Sequence, residues 1–256
     1  MAILTYHHVG QRLQSTGAPD AKSHEGLWVA PGLFAGHLEW LRNHGYAGVT
    51  LDDIHAALSG VRSLPRRWVC LTFDDGWRDN YTLALPLLKH YGFPATVFLI
   101  TSKIRTTPSM NQDDEFLSLN EIEEMRTNGI KFESHTRTHP KLTKLDDNTA
   151  REELADSRRE MKEQLGLEPR YLAYPYGAVS PRIARIAGEV GYAAAVSSIR
   201  DNRLSPDQIL WLPRVMIMQD TMPTRMRYLL SPMYHWVHAT KNRSRWKDLR
   251  EHVNAA

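Results

Sequence analysis

Trp68-Val69-Cys70-Leu71-Thr72-Phe73-Asp74-Asp75-Gly76 is an apolar strand run that ends abruptly in two carboxylates and a glycine. Adjacent residues of an extended strand point to opposite faces, but a turn at the strand's end can bring both carboxylates into one mouth. About sixty residues later stands Ser134-His135-Thr136-Arg137-Thr138-His139-Pro140, with two histidines four apart on a turn or short helical segment. Two His and one Asp make a divalent-metal triad with positions left open, and the second Asp stays free to act as a base. The pattern points to metal-assisted hydrolysis.

Outward from this strand, apolar β-type runs alternate with helix-type patterns. Strands are predicted at Ile3–His7, Gly48–Thr50, Trp68–Phe73, Ala95–Ile100, Ile130–Ser134, Tyr171–Tyr174, Ala194–Ser197 and Leu210–Ile217. Between them, Leu33–His44, Asp79–Tyr91, Asn120–Thr127, Thr149–Leu165 and Pro181–Val190 carry the i, i+3, i+4 spacing of amphipathic helices. Pro31 opens one helix, Gly45 and Gly92 close two, and Ser180-Pro181 reads as an N-cap followed by proline at the first position. Repeated β-then-α units predict an α/β protein with a parallel sheet and helices outside it. The polar strand ends (Asp74-Asp75, Ser134-His135, Pro175-Tyr176) are all carboxyl ends, the face that holds the active site in a barrel of this kind. Gln11–His24 and Ser102–Glu115 read as long loops, of a length that often covers a site.

At 256 residues, with 42% hydrophobic and 24% charged residues, the chain suits one large globular domain with a substantial core. Its single cysteine, Cys70, lies inside an apolar strand, reads as a buried small hydrophobe, and excludes a disulfide framework. The first residues read as a strand rather than a signal peptide, and no apolar run is long enough to span a bilayer, so a cytoplasmic protein is expected. Charge is uneven. From Thr221 onward seven Lys or Arg face two acids, a local +5 that leaves the preceding residues near −2. That segment also holds Met233, Tyr234, Trp236 and Trp246. It is expected either to touch an anionic membrane surface or to pack on the body as a terminal helix with a solvated basic face. Nucleic-acid binding is not expected, since no recognition module is present.

Thr72-Phe73-Asp74-Asp75-Gly76, Ser134-His135-Thr136-Arg137-Thr138-His139 and Tyr174-Pro175-Tyr176-Gly177, in this order, resemble three motifs of the polysaccharide deacetylases of carbohydrate esterase family 4, the NodB-homology enzymes. The resemblance covers roughly Ile3 to Ile217 and implies a distorted (β/α) barrel with about seven parallel strands. It implies a catalytic domain over 1–220, and the composition beyond it reads as a basic, aromatic helical extension over 221–256. By the same resemblance Asp75, His135 and His139 hold the metal, usually zinc, with cobalt or nickel as substitutes. Asp74 is then the general base for the attacking water, and the backbone N–H of Tyr176 completes an oxyanion hole. Thr72 and Ser134 orient the site.

Two departures from the family pattern matter. The arginine that usually precedes the third motif's proline by two residues, and pairs with the base, is replaced by Ala173. Arg214, in Leu212-Pro213-Arg214, is the candidate replacement, with a plain surface arginine as the alternative. The family's late leucine-x-histidine acid also has no clean copy, and His235 and His238 lie too far along to serve. Both departures are similar to the branch that includes exported poly-N-acetylglucosamine deacetylases, where an N-terminal tyrosine-histidine strand end enters the site. Tyr6-His7-His8-Val9 fits that pattern. His7 is therefore the candidate acid for the leaving amine, with His8 second and also a candidate substrate contact, against the alternative of a strand-end histidine without a catalytic role.

Tyr174, Tyr176, Trp77 and Trp211 are candidates for an aromatic wall against a sugar ring, core packing being the alternative for each. Asp113 and Asp114 read as solvated loop carboxylates that could also meet sugar hydroxyls. The expected activity is de-N-acetylation of an N-acetylhexosamine unit in a glycan or lipid-linked precursor. The competing expectations are a small non-glycan amide and a catalytically silent carbohydrate-binding barrel.

Overall fold

The fold is described by a computed structural model over residues 1–11, 26–106 and 116–253. The chain starts with β1 (Ala2–Tyr6), the two-residue strands β2 (His8–Val9) and β3 (Trp28–Val29), α1 (Pro31–Asn43), β4 (Ala47–Gly48) and α2 (Leu51–Leu58). Then come β5 (Trp68–Phe73), α3 (Leu85–Tyr91), β6 (Ala95–Leu99), α4 (Leu119–Thr127), β7 (Ile130–Ser134), α5 (Asp147–Leu165) and β8 (Tyr171–Ala173). α6 (Pro181–Val190), β9 (Ala194–Arg200), β10 (Leu212–Met216), α7 (Met226–Leu229) and α8 (Pro232–Val253) complete it.

β5, β6, β7, β8, β9 and β10 pair in that order, and β1 closes the ring by pairing with both β10 and β5. All these pairings are parallel. The result is a closed barrel of seven parallel strands ringed by helices, the parallel sheet that the alternation predicts and the barrel that the family resemblance implies. β4 adds a short pairing at the start of β5, and β2 with β3 forms a separate ribbon.

Side chains alternate across each strand with period 2. Ile3, Cys70, Phe98, Ala173, Val196 and Leu212 fill the barrel interior in one cluster. The intervening Leu4, Leu71, Val97 and Phe132 face outward against α1, α3 and α4. A third cluster joins Leu172 and Tyr174 to α5, α6 and the Trp246–Leu249 end of α8. The C-terminal helix therefore packs on the body while keeping Met233 and Trp236 exposed.

Two local expectations are corrected. Gly48–Thr50 is not a strand throughout. Thr50 instead caps α2, accepting the Asp53 amide while the Asp53 carboxylate takes the Thr50 N–H, a capping box. The helix expected over Asp79–Tyr91 opens with a π-helical turn, Asn80–Ala84, because Pro86 has no N–H to donate back. The 11–24 loop lies outside the described residues except for its first position, as does the 102–115 loop beyond its first five.

Candidate metal centre and catalytic pocket

Strand register places the acidic pair. Ile3 lies beside Cys70 and Thr5 beside Thr72, so the next inward positions, His7 and Asp74, meet at the same barrel mouth. His7 Nε2 is 4.0 Å from Asp74 Oδ2. Asp75 follows with φ 75°, a left-handed backbone that turns its side chain into that mouth beside Asp74. Gly76 continues the turn at φ 78°, and a Cβ there would come within 2.8 Å of Leu99.

The two histidines arrive from β7 on a strand end and a tight turn rather than on a helix. Thr136 and His139 both have positive φ. Outside glycine, Asp75, Thr136, His139 and Tyr176 account for every left-handed backbone among the described residues, and all four border this mouth. Each costs of order 1–3 kcal/mol, strain that persists only where the surroundings hold it. A carboxylate from α5 supplies that hold. Glu153 accepts the Arg137 and Thr138 amides at 3.1 and 2.9 Å and the Thr138 hydroxyl at 2.6 Å. The turn closes on itself through the His139 amide, which donates to Thr136 Oγ1 at 3.1 Å.

Nε2 of His135 and of His139 lie 3.3 and 3.5 Å from Asp75 Oδ1. Ligand atoms of the three residues all fall within 4.8 Å of one another. His135 Nδ1 donates to the Ala173 carbonyl at 2.7 Å, which fixes that proton and turns Nε2 toward the acids as a lone pair. Asp75 Oδ1 is buried without a hydrogen-bond partner. Two imidazole nitrogens around one orphaned carboxylate oxygen are the donor set of a divalent cation, so these residues fit the metal that the motifs imply. Burial pushes the Asp75 carboxyl up, but His135 and His7 outweigh it and hold the group below the usual carboxylate range.

Asp74 is paired with a cation from β10, which β1 alone separates from β5 in the ring. Arg214 on β10 donates from Nη1 and Nη2 to its two oxygens at 2.7 and 2.6 Å. The same guanidinium reaches Thr72 Oγ1 at 3.2 Å and, from Nε, the Ser197 carbonyl at 3.0 Å. At 1% exposure Arg214 is an interior residue, so the surface alternative does not apply. Burial raises Asp74, and Arg214, with His135 and His7, more than offsets it, so the carboxyl is held below its ordinary range. Burial likewise pushes His7 below the ordinary imidazole range, and its Nδ1 is buried without a partner.

The aromatic wall is largely corrected. Tyr174 and Trp211 are fully buried in the helix-side core, and the Tyr174 hydroxyl donates to the Leu210 carbonyl at 2.8 Å. Trp77 donates its indole N–H to Asp75 Oδ2 at 2.9 Å and stacks on Phe116, so it supports the site rather than facing outward. His8 is buried, stacked on Trp28, with Nδ1 on Asp79 at 2.6 Å, which removes it as an acid or a sugar contact. Tyr176 alone stands in the open, 63% exposed, its ring 4.7 Å from that of His139. Its left-handed backbone is followed by Gly177, where a Cβ would fall 2.1 Å from Ser198 Oγ. Asp113 and Asp114 lie outside the described residues, and His235 pairs with Asp201, away from the pocket.

Comparison with known proteins gives this pocket its family. The profile described as polysaccharide deacetylase matches residues 62–195, just over half of the chain. The chain belongs to the polysaccharide deacetylase family. A Bacillus subtilis relative named as a polysaccharide deacetylase is 29% identical over 198 residues, 77% of this chain and 64% of its own length. The poly-β-1,6-N-acetyl-D-glucosamine N-deacetylase of Staphylococcus aureus is 28% identical over 206 residues, 75% of this chain and 68% of its own. This polysaccharide deacetylase chain thus spans about two thirds of the curated relatives it matches.

Among solved structures, the Streptococcus pyogenes deacetylase PplD with acetate superposes at a TM-score of 0.77 with 27% identity, covering 91% of this chain and 98% of that one. IcaB from Ammonifex degensii superposes at 0.74 with 24% identity, covering 90% and 97%, a likeness of fold.

Proposed function

We propose that this polysaccharide deacetylase removes the acetyl group from an N-acetylhexosamine unit of a glycan, releasing acetate and leaving a free amine. One observation carries the reading: the orphaned Asp75 oxygen and two imidazole nitrogens converge beside a carboxylate held ionised by Arg214. Asp75, His135 and His139 are the residues that would hold a divalent ion, Zn²⁺ first, with Co²⁺ or Ni²⁺ as functional substitutes. Such an ion acidifies water to a pKa of roughly 7 and polarises an amide carbonyl.

The remaining roles belong to side chains. Asp74 takes a proton from the attacking water, whose oxygen adds to the acetamide carbonyl carbon. Arg214 keeps Asp74 charged and fixes its plane, so the base needs no reorganisation when the proton arrives. The backbone N–H of Tyr176 donates to the oxygen as charge grows on it. The C–N bond then breaks, and the leaving nitrogen needs a proton. Burial pulls His7 below the ordinary imidazole range. Its Nε2, 4.0 Å from Asp74, is placed to pass the captured proton back to that nitrogen. Tyr176, exposed over His139, offers the sugar a ring face at the mouth. The intact Asp74–Arg214 pair disfavours a silent binding barrel, because a retired base would have no use for a buried counter-ion.

The exposed Met233 and Trp236, on the helix that carries most of the C-terminal basic residues, support a peripheral contact with an anionic membrane. The catalytic reading is tested by acetate release from poly-N-acetylglucosamine oligomers. Asp75→Ala and His139→Ala should lower turnover by about 10²–10³-fold, the scale of losing an electrostatic transition-state contact, and chelation should match them until Zn²⁺ or Co²⁺ is returned. Full turnover in either variant would sink the mechanism.

A further inference from the structure

Asp75 has two carboxylate oxygens, and the site treats them differently. Oδ1 faces His135 and His139 without a hydrogen-bond donor. Oδ2 takes the indole N–H of Trp77 at 2.9 Å. The donor is itself held. The Trp77 ring stacks on Phe116 at 4.4 Å and 23°, and packs at 4.3 Å against His8. His8 lies flat on Trp28 at 3.7 Å and 5°, and its Nδ1 is fixed by Asp79. Backbone bonds lock the register, since Trp77 bridges to Phe116 and the Leu117 amide donates to the Gly76 carbonyl at 3.0 Å.

We propose that Trp77 is a positioning residue that sets metal affinity, by holding Asp75 so that a single oxygen is presented to the ion. This rests on the metal reading above. A carboxylate on a left-handed turn can rotate about its last bond, present both oxygens or swing away. An N–H on the outer oxygen removes that freedom and leaves the inner one aimed at the imidazoles. Partners of this kind are typically worth 10–100-fold in metal affinity. The ring column behind Trp77 makes the N–H rigid enough to do this, which a solvent-exposed donor could not.

The test is metal affinity in the full chain, stripped with chelator and titrated with Co²⁺, reading the visible absorption of the bound ion, and with Zn²⁺ against a chromophoric chelator. Trp77→Phe keeps the ring stack and deletes only the donor. The expected result is a Kd raised 10–100-fold, with a shifted Co²⁺ absorption band and unchanged circular dichroism. If Phe at 77 perturbs folding, the benzothiophene analogue of tryptophan, with sulfur in place of N–H, makes the same comparison at constant shape. A parent with a tight site and a donor-less variant within twofold of it overturns the role of Trp77 alone. A parent without a tight site, or an Asp75→Ala protein that binds as tightly, overturns the metal reading and the role of Trp77 with it.

Discussion

Arg214 takes the place that Ala173 leaves empty. An arginine before the third motif would reach the base from β8, whereas this one comes from β10 and passes beneath β1. Both oxygens of Asp74 are bound by the one guanidinium, and both partners are almost wholly buried. A buried pair of this kind adds little over an apolar pair, but removing one member strands a charge in the interior. Arg214→Met should therefore cost about 3–5 kcal/mol in urea unfolding and abolish turnover. The double variant Asp74→Asn/Arg214→Met should regain most of that stability and stay inactive. A double variant as unstable as the single one would show that the loss comes from packing instead. At this scale the motif residues were legible, because Asp74 and Asp75, and likewise His135 and His139, fall within short contiguous stretches at predicted strand ends. The partners were less so. Arg214 is an ordinary arginine until register across β10, β1 and β5 is known. Trp77 and His8 look like free aromatic residues until their ring neighbours, distant in sequence, are in place.

Elements carry the next layer of control. α4 begins with a capping box in which Ser118 accepts the Glu121 amide and the Glu121 carboxylate takes the Ser118 N–H. The same carboxylate receives Arg78 at 2.7 Å and Arg105 at 3.2 Å, tying the helix start to the segments around Trp77 and Phe116. Burial raises Glu121, but the Ser118 amide and Arg78 win, and its pKa lies below the usual value. A carboxyl depressed by folding stabilises the native state above its unfolded pKa, and that contribution disappears as pH falls through the folded value. Glu121→Gln should thus cost about 1 kcal/mol at pH 7, the worth of a cap, and should flatten the fall in urea midpoint below pH 4.5, the carboxyl's ordinary value. A parallel fall in both proteins would remove Glu121 from the account. Alternation of strand and helix made the parallel α/β sheet readable, because period 2 and period 3.6 are local properties. The α2 capping box at Thr50 and Asp53 is equally local, a threonine followed three residues later by an acid. Glu153's grip on the His139 turn was not readable, since it joins an ordinary helix-surface acid to amides 15 and 16 residues away.

The whole molecule has two ends with different chemistry. His7, Asp74 and His135 follow the carboxyl ends of β1, β5 and β7, while Met1 and Trp68 stand at the opposite ends of β1 and β5. A six-residue strand rises about 20 Å, which separates the two. The lower end holds a cavity of about 490 Å³ lined by Leu64, Trp68, Leu204, Pro232 and His235. Trp236, 76% exposed, and Met233, 61% exposed, stand beside it. A membrane contact through these residues points the catalytic mouth away from the bilayer, toward a polymer rather than toward the lipid end of a precursor. Met233→Ser/Trp236→Ser should reduce sedimentation with phosphatidylglycerol vesicles several-fold while leaving acetate release from soluble oligomers intact. Equal pelleting would count against the contact. Truncation is a poorer probe, because Trp246 and Leu249 are part of the core that α6 needs.

The path of Arg214 has a consequence in time. β10 is the last strand of the ring to be synthesised, and its guanidinium is the last member of the site to exist. A nascent chain ending before Leu212 already contains both carboxylates, both imidazoles and His7, yet its base has no counter-ion and its ring has a gap between β9 and β1. Barrel closure and arming of the base are one event.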